Sequence, residues 1–105
     1  YNLGVMYKNG EGVPQNYKAA VKWYRLAAEQ GDAKAQFVLG AIYFLGQGVP
    51  RDDVYAHMWW NIAAATGNED AVKSRDIITK MMSPADISKA QKLARECVAK
   101  DYKNC

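Results

Sequence analysis

The chain has 105 residues, half of them hydrophobic, and a formal net charge of +3. This length accommodates one domain with a modest core, so no second domain is needed. Residues 1–72 carry 6 basic and 7 acidic groups, whereas residues 73–105 carry 8 and 4. This basic excess lacks the dense Lys/Arg cluster of nucleic-acid-binding proteins, and no apolar run is long enough for a transmembrane helix. We therefore predict neither a nucleic-acid partner nor a membrane-spanning segment.

The dominant feature of the sequence is an internal repeat. Small, apolar and aromatic residues occur twice in the same order, 36 positions apart and without an insertion. The first copy comprises Leu3, Gly4, Tyr7, Gly10, Gly12, Val13, Pro14, Ala20, Trp23, Tyr24, Ala27, Ala28 and Gly31, and the second comprises Leu39, Gly40, Tyr43, Gly46, Gly48, Val49, Pro50, Ala56, Trp59, Trp60, Ala63, Ala64 and Gly67. Self-similarity at this period is typical of stacked repeat proteins.

Each copy of the repeat predicts a helical hairpin. In the first copy, a helix ending near residue 9 is followed by a glycine turn, and Asn16 caps a second helix that ends at Gly31. In the second copy, Asp32 caps a helix over residues 33–45 and Asp52 caps one over 52–66. We expect the aromatic residues to pack in the core beside the small ones. No hairpin can bury its apolar stripe alone, so the hairpins must stack.

After Gly67 the pattern changes. A helix is predicted over residues 69–82, with its apolar positions shifted to Val72, Ile77, Ile78, Met81 and Met82. The sequence Ser83-Pro84-Ala85-Asp86 predicts the start of a last helix over residues 84–100. The residues predicted on its inner side are Ile87, Ala90, Leu93, Ala94, Cys97 and Val98.

We thus predict one all-α domain over residues 1–105, a right-handed solenoid of antiparallel hairpins with about six helices. Repeats occupy residues 1–31 and 32–67, a degenerate repeat helix occupies 68–82, and a capping helix with its tail occupies 83–105. We expect the chain to be the C-terminal part of a longer repeat array.

The two cysteines, Cys97 and Cys105, lie eight residues apart. On one uninterrupted helix their Cα atoms would be about 12 Å apart, whereas a disulfide requires them within about 7 Å. A bond therefore requires the helix to end between them and the polar residues 100–104 to fold back. The residues alone leave open a disulfide and a pair of free thiols.

The motif Leu-Gly-x-x-Tyr-x-x-Gly-x-Gly-Val, followed by Ala-x-x-Trp-Tyr-x-x-Ala-Ala-x-x-Gly, resembles the Sel1-like repeat over residues 3–67. The resemblance implies a tetratricopeptide-like fold and an adaptor role, as in bacterial signalling, envelope and host-interaction processes or eukaryotic quality control of secretory proteins. A cysteine-rich branch of secreted bacterial members pairs cysteines at a similar spacing, although this chain lacks that branch's cysteine pair in each repeat. The resemblance therefore implies a Cys97–Cys105 disulfide and a periplasmic or secreted location, with a cytoplasmic location as the alternative.

No residue pattern predicts a catalytic, metal or cofactor site. The Gly-x-Gly pairs lack the third glycine and the preceding strand of a dinucleotide-binding motif, so they are interpreted as turns. His57 is the only histidine, and no cysteine lies near it in sequence to share a metal or act as a nucleophile. We expect it half-exposed on the helix that carries Trp59. Ser83 has no neighbouring histidine and is interpreted as a helix cap.

The candidate binding residues lie on the first helix of each hairpin, on the face that lines the concave surface in tetratricopeptide-like stacks. They are Asn2, Val5, Met6, Asn9, Val38, Ala41, Ile42 and Leu45. Exposed apolar patches mark interaction sites, although a neighbouring repeat could bury this face instead. We predict a non-enzymatic adaptor that binds a protein or peptide, without a cofactor. The alternatives are a cell-wall-related hydrolase or binder of peptidoglycan-like ligands, and a structural spacer in a longer repeat protein.

Overall fold

The computed structural model describes residues 16–105, which form five helices and no strand. Their bounds are Tyr17–Glu29 (α1), Ala33–Leu45 (α2), Asp53–Ala65 (α3), Glu69–Thr79 (α4) and Pro84–Ala99 (α5). The predicted all-α class is confirmed for this part of the chain. The helix and the glycine turn predicted before Asn16 lie outside the described residues.

The helices begin where the sequence places N-cap residues. Each predicted cap side chain accepts a hydrogen bond from a backbone N–H two or three residues later: Asn16 from Ala19, Asp32 from Lys34 and Ala35, Asp52 from Tyr55, and Ser83 from Asp86. The helix predicted over 69–82 ends earlier, at Thr79. The N–H groups of Lys80 and Met81 turn back to carbonyls three residues earlier, and Pro84 disfavours helical backbone just before it.

Helix α3 is the central element of the described fold. It packs against α2, α4 and α5, and its two adjacent tryptophans enter different core clusters. Trp59 joins a cluster formed with α1, α2 and α5, which includes Tyr24 and Leu39. Trp60 joins a second cluster with Ile78 of α4. The prediction that the aromatic residues form the core is confirmed for Tyr24, Trp59 and Trp60, because a helix covered on most sides places even neighbouring side chains in the interior. Trp23, which the same prediction included, is only half-buried.

Gly40 allows α2 to approach α3 closely. A Cβ atom at this position would lie 2.5 Å from Cδ1 of Trp60, which is far inside van der Waals contact. A hydrogen bond also holds the Trp60 indole in place, since its Nε1 donates to the carbonyl oxygen of Phe37 over 3.0 Å. The repeat therefore requires glycine here for space.

Three apolar residues of the C-terminal part are exposed. They are Ile77 on α4, Met81 two residues after the end of α4, and Val98 on α5, which is 50% exposed. Their chain neighbours Ile78 and Cys97 are buried instead. Consecutive residues of a helix point about 100° apart, so only one of each adjacent pair faces α3. The prediction that Val98 lies on the inner side of the last helix is wrong, and of the shifted apolar positions Ile77 and Met81 are exposed.

The structure contains the Cys97–Cys105 disulfide, with the two Cα atoms 5.5 Å apart. Helix α5 ends at Ala99, and the tail turns back through residues with positive φ at Asp101, Tyr102 and Asn104. The N–H of Tyr102 donates to the carbonyl of Cys97 over 2.9 Å. Of the two alternatives for the cysteines, the structure supports the bond.

The disulfide-linked tail, residues 100–105, reaches the far end of α1, and we call it the C-terminal clasp. The Lys103 ammonium donates a 2.7 Å hydrogen bond to the carbonyl oxygen of Glu29. The Tyr102 ring lies against Gly31, next to the same helix end. The last carbonyls of a helix lack intrahelical donors and favour a cation, so Lys103 provides a partner there. The clasp thus links the C-terminus of the described fold to its first helix.

Candidate partner-binding groove

A groove lies between α2 and α4, above α3, and has a volume of about 260 Å³. Its lining consists of apolar side chains with a single polar exception, Ser74. The lining residues are Phe37, Ala41, Phe44, Leu45, Trp60, Ser74, Ile77 and Ile78. We call this feature the α2–α4 groove. A concave, mostly apolar surface with few polar groups is typical of binding sites.

Aromatic contacts hold the base of the α2–α4 groove in place. The rings of Phe37 and Phe44 lie against Trp60, with centroid separations of 6.5 and 5.8 Å. The hydrogen bond from Trp60 to the Phe37 carbonyl fixes the orientation of the indole. Because these side chains are held by packing, the groove exists before a ligand arrives, which lowers the entropic cost of binding.

The rim of the groove is formed by exposed apolar side chains. Leu45 at the end of α2 is 60% exposed, and Ile77 on α4 is 62% exposed. Met81, four residues after Ile77, is exposed as well. Single exposed apolar residues are ordinary, but Leu45 and Ile77 line an apolar groove and extend its surface.

The structure places two of the predicted binding residues in the groove. Ala41 and Leu45 line it, whereas Val38 packs against the core cluster that contains Trp59. Ile42 is 3% exposed and belongs to that cluster, so the expectation that it forms part of an exposed apolar patch is wrong. It points about 100° away from Ala41, toward the cluster that contains Trp59. The other four candidates, Asn2, Val5, Met6 and Asn9, lie outside the described residues.

Sequence reasoning missed the α4 side of the groove and the two phenylalanines of α2. Phe37 and Phe44 are not repeat positions, but both lie three or four residues from Ala41 and so share its helix face. That spacing was a usable signal. For Ile77 no comparable signal exists, because the sequence does not distinguish it from its buried neighbour Ile78.

His57 lies behind the groove, in the contact between α3 and α4. It is 2% exposed, so the prediction of a half-exposed histidine is wrong. Its Nε2 lies 3.0 Å from Oγ1 of Thr79, and that hydroxyl donates a 2.7 Å bond to the carbonyl of Arg75. Because the hydroxyl proton of Thr79 is donated to Arg75, the hydroxyl oxygen can only accept from His57. Nε2 therefore carries a proton and donates it to Thr79. His57 therefore joins two helices as a neutral side chain.

The surroundings of His57 oppose its protonation. Burial lowers the pKa of His57 below the ordinary value of 6.5, and the Arg75 guanidinium lowers it further, against smaller opposing contributions from a backbone hydrogen bond and Asp76. A second proton would have to occupy Nδ1, which is also buried. The unfolded state consequently binds the proton more tightly than the folded state.

We expect acidification to destabilise the fold through His57. The pKa of His57 is depressed in the folded state, so His57 does not reduce the free energy of unfolding above pH 6.5. As the pH falls below 6.5, the unfolded state takes up the proton first, and the free energy of unfolding decreases with a slope of at most about 1.4 kcal/mol per pH unit. Urea unfolding between pH 7.5 and pH 5 measures the effect. His57→Gln, which keeps an amide donor for Thr79, should show a flatter profile, and identical profiles for the two proteins would contradict this assignment.

The described residues show neither a metal-binding cluster nor a membrane-spanning helix. Between residues 16 and 105, no three His, Cys, Asp or Glu side chains come together to hold a metal ion. None of α1 to α5 has the length and apolar character needed to cross a membrane.

Comparison with known proteins identifies the repeat. The Sel1 repeat profile matches residues 1–32 and again residues 33–68. The chain belongs to the Sel1 repeat family. Proteins of this family are generally helical-repeat modules for protein interaction and typically act as non-catalytic scaffolds. No significant match is found among curated proteins.

Two solved structures have the same fold. A protective antigen of uropathogenic Escherichia coli with an SLR fold is 33% identical, matches 97% of this chain and has a TM-score of 0.91. A Sel1 repeat protein from Oxalobacter formigenes is 40% identical over 74% of this chain, with a TM-score of 0.73. The predicted α-solenoid of Sel1-like repeats is thus confirmed. The chain spans 23% and 32% of the lengths of these two proteins.

Proposed function

We propose that this Sel1 repeat chain is a non-enzymatic adaptor that binds a segment of a partner protein in the α2–α4 groove. The observation that carries the proposal is an apolar groove with an ordered base and two exposed apolar rim residues, Leu45 and Ile77. Sel1 repeats generally mediate protein interactions, which supports the same function.

The dimensions of the groove suit one large side chain of a partner. A cavity of about 150 Å³ admits a benzene ring, and this groove has about 260 Å³. An aromatic or aliphatic anchor in the groove would contact Trp60, while the residues beside it would cover Leu45 and Ile77. Such anchors supply most of the binding energy in recognition of a short segment.

The lining favours protein binding over the two alternative functions. A hydrolase needs an exposed nucleophile or acid–base pair, whereas the groove offers one hydroxyl, Ser74, and the nearby His57 is buried. A peptidoglycan-like ligand carries many hydroxyl and amide groups, which this apolar lining would leave without hydrogen bonds. A spacer would have no need of an ordered apolar groove. The disulfide supports a periplasmic or secreted location, where such bonds persist.

Charged substitutions on the rim test the proposal. A displayed library of random twelve-residue peptides is selected on the chain, and the affinity of an enriched peptide is measured by fluorescence anisotropy. Leu45→Lys and Ile77→Lys should each weaken binding at least tenfold, about 1.4 kcal/mol, because the ammonium group must be desolvated against the peptide's apolar anchor. Thermal unfolding should remain nearly unchanged, since both side chains are exposed.

Matched controls lie on exposed apolar residues outside the groove. Leu26→Lys on α1 and Val98→Lys on α5 carry the same change and should leave the affinity unchanged. If all four variants bind the peptide like the parent chain, or if no peptide is enriched, the groove is not the binding site.

A further inference from the structure

We infer that the partner segment is acidic, with an apolar anchor flanked by Asp or Glu residues. This inference rests on the proposed function, because it assigns a charge to the ligand of the α2–α4 groove. It follows from the lysines that border the groove and from the pairing of the neighbouring acidic side chains.

Two lysines lie beside Ile77 on the exposed side of α4, Lys73 within the helix and Lys80 at its C-cap. Lys73 precedes Ile77 by four residues and Lys80 follows it by three, and residues at these spacings lie next to one another on a helix. On the opposite wall, Lys34 precedes Phe37 by three residues on α2. All three lysines are exposed. Within residues 16–105, none of them takes part in a salt bridge.

The acidic groups near the groove offset only part of this positive charge. Asp53 is paired with Arg51, at 3.1 Å, and Asp76 with Arg75, at 3.3 Å. Glu69 and Asp70, four and three residues before Lys73, remain as exposed acidic residues in the first turn of α4.

Positive charge around an apolar recess fits a segment with the complementary pattern. Its anchor would enter the recess above Trp60, and its flanking carboxylates would lie close to Lys34, Lys73 and Lys80. Charged rims chiefly accelerate association and exclude partners of like charge. A basic amphipathic segment would meet like charges on both walls and bind less well.

The shape of the site favours a protein segment over an anionic membrane, which could also be drawn to lysines. The apolar surface is recessed between two helices and has its base at Trp60, which is almost completely buried. A bilayer is contacted by apolar side chains that protrude from a surface, and only Leu45, Ile77 and Met81 do so here.

Flank-exchange peptides test the charge of the ligand. An enriched groove-binding peptide is synthesised in three forms that share the apolar centre and carry Glu, Gln or Lys in the flanks. At 20 mM NaCl the Glu form should bind about tenfold more tightly than the Gln form, as several modest surface pairs act together, and the Lys form should bind most weakly. The difference should shrink at 500 mM NaCl, where exposed charges are screened.

Charge reversal assigns the effect to particular residues. The double variant Lys73→Glu with Lys80→Glu should reverse the preference, so that the Lys form binds better than the Glu form. The matched control Lys89→Glu with Lys92→Glu changes two exposed lysines of α5, away from the groove, and should keep the original order.

Three results would overturn the inference. Equal affinities for the three peptides would show that the groove binds without regard to charge, and the proposed function would stand. If selection yields no peptide whose binding depends on Leu45 and Ile77, both proposals fail. Co-sedimentation of the chain with phosphatidylserine vesicles, weakened in Ile77→Ser, would identify the groove as a membrane-contacting surface. The charge inference is supported by the expected order of affinities together with an absence of vesicle binding.

Discussion

Replacing Gly40 with alanine should lower the free energy of unfolding by about 2 kcal/mol. Overpacking a core costs about 1–3 kcal/mol, and leaving a buried hydrogen-bond donor without its acceptor costs about 1–3 kcal/mol. The new Cβ would lie 2.5 Å from Cδ1 and 2.6 Å from Nε1 of Trp60. The indole would have to move, which breaks its hydrogen bond to the Phe37 carbonyl. Alanine's better helix propensity offsets about 1 kcal/mol of this cost. Urea unfolding of Gly40→Ala measures the change.

A double-mutant cycle with Trp60→Leu isolates the cause. Without the indole, alanine at position 40 no longer meets a rigid ring, so its helix propensity should dominate. We expect Gly40→Ala to be neutral or stabilising by up to about 1 kcal/mol in the Trp60→Leu background. An equal loss of stability in both backgrounds would show that the contact with Trp60 does not explain the glycine.

Reducing the Cys97–Cys105 disulfide should lower the free energy of unfolding by about 2–3 kcal/mol, the chain-entropy effect for a short loop. The bond also holds the C-terminal clasp, so its loss should release Lys103 from the Glu29 carbonyl and Tyr102 from Gly31. Amide hydrogen exchange should therefore increase around Gly31, far from the cysteines in sequence. Unfolding with and without a phosphine reductant, combined with exchange measurements, tests both effects.

Two variants separate the disulfide from the rest of the clasp. The double variant Cys97→Ala with Cys105→Ala should be insensitive to reductant. Lys103→Met keeps the bond but removes the contact with α1, and should cost no more than about 1.5 kcal/mol, the usual value of one hydrogen bond. If reductant leaves both stability and exchange at Gly31 unchanged in the parent chain, the clasp does not stabilise the fold.

Local signals in the sequence were sufficient for the helices. Helix α2 runs from Ala33 to Leu45 as predicted, because Asp32 caps its start and Gly46, with φ of 69°, ends it in the left-handed region. The same kind of signal placed the starts of α1, α3 and α5. Caps and glycines act within a few residues, so they can be recognised without knowledge of the tertiary structure.

The binding groove depended on contacts that no local pattern contains. Ile77 and Ile78 are identical and adjacent, and only the packing of α4 on α3 decides which one is exposed. The buried His57 forms a hydrogen bond with Thr79, 22 residues away. The contact between Lys103 of the clasp and Glu29 joins residues 74 positions apart. The repeat pattern predicted that helices stack. Where the groove lies depends on which side chains of α4 face α2 and α3, and the degenerate repeat does not encode this.

Methyl NMR of the chain with a selected peptide tests the central claim most directly, since it locates the bound segment. We predict intermolecular NOEs from the peptide's apolar anchor to the methyl groups of Ala41, Leu45 and Ile77, with shift changes at the Trp60 indole N–H. NOEs confined to Leu26 or Val98, with the signals of Leu45, Trp60 and Ile77 unchanged, would contradict binding in the α2–α4 groove.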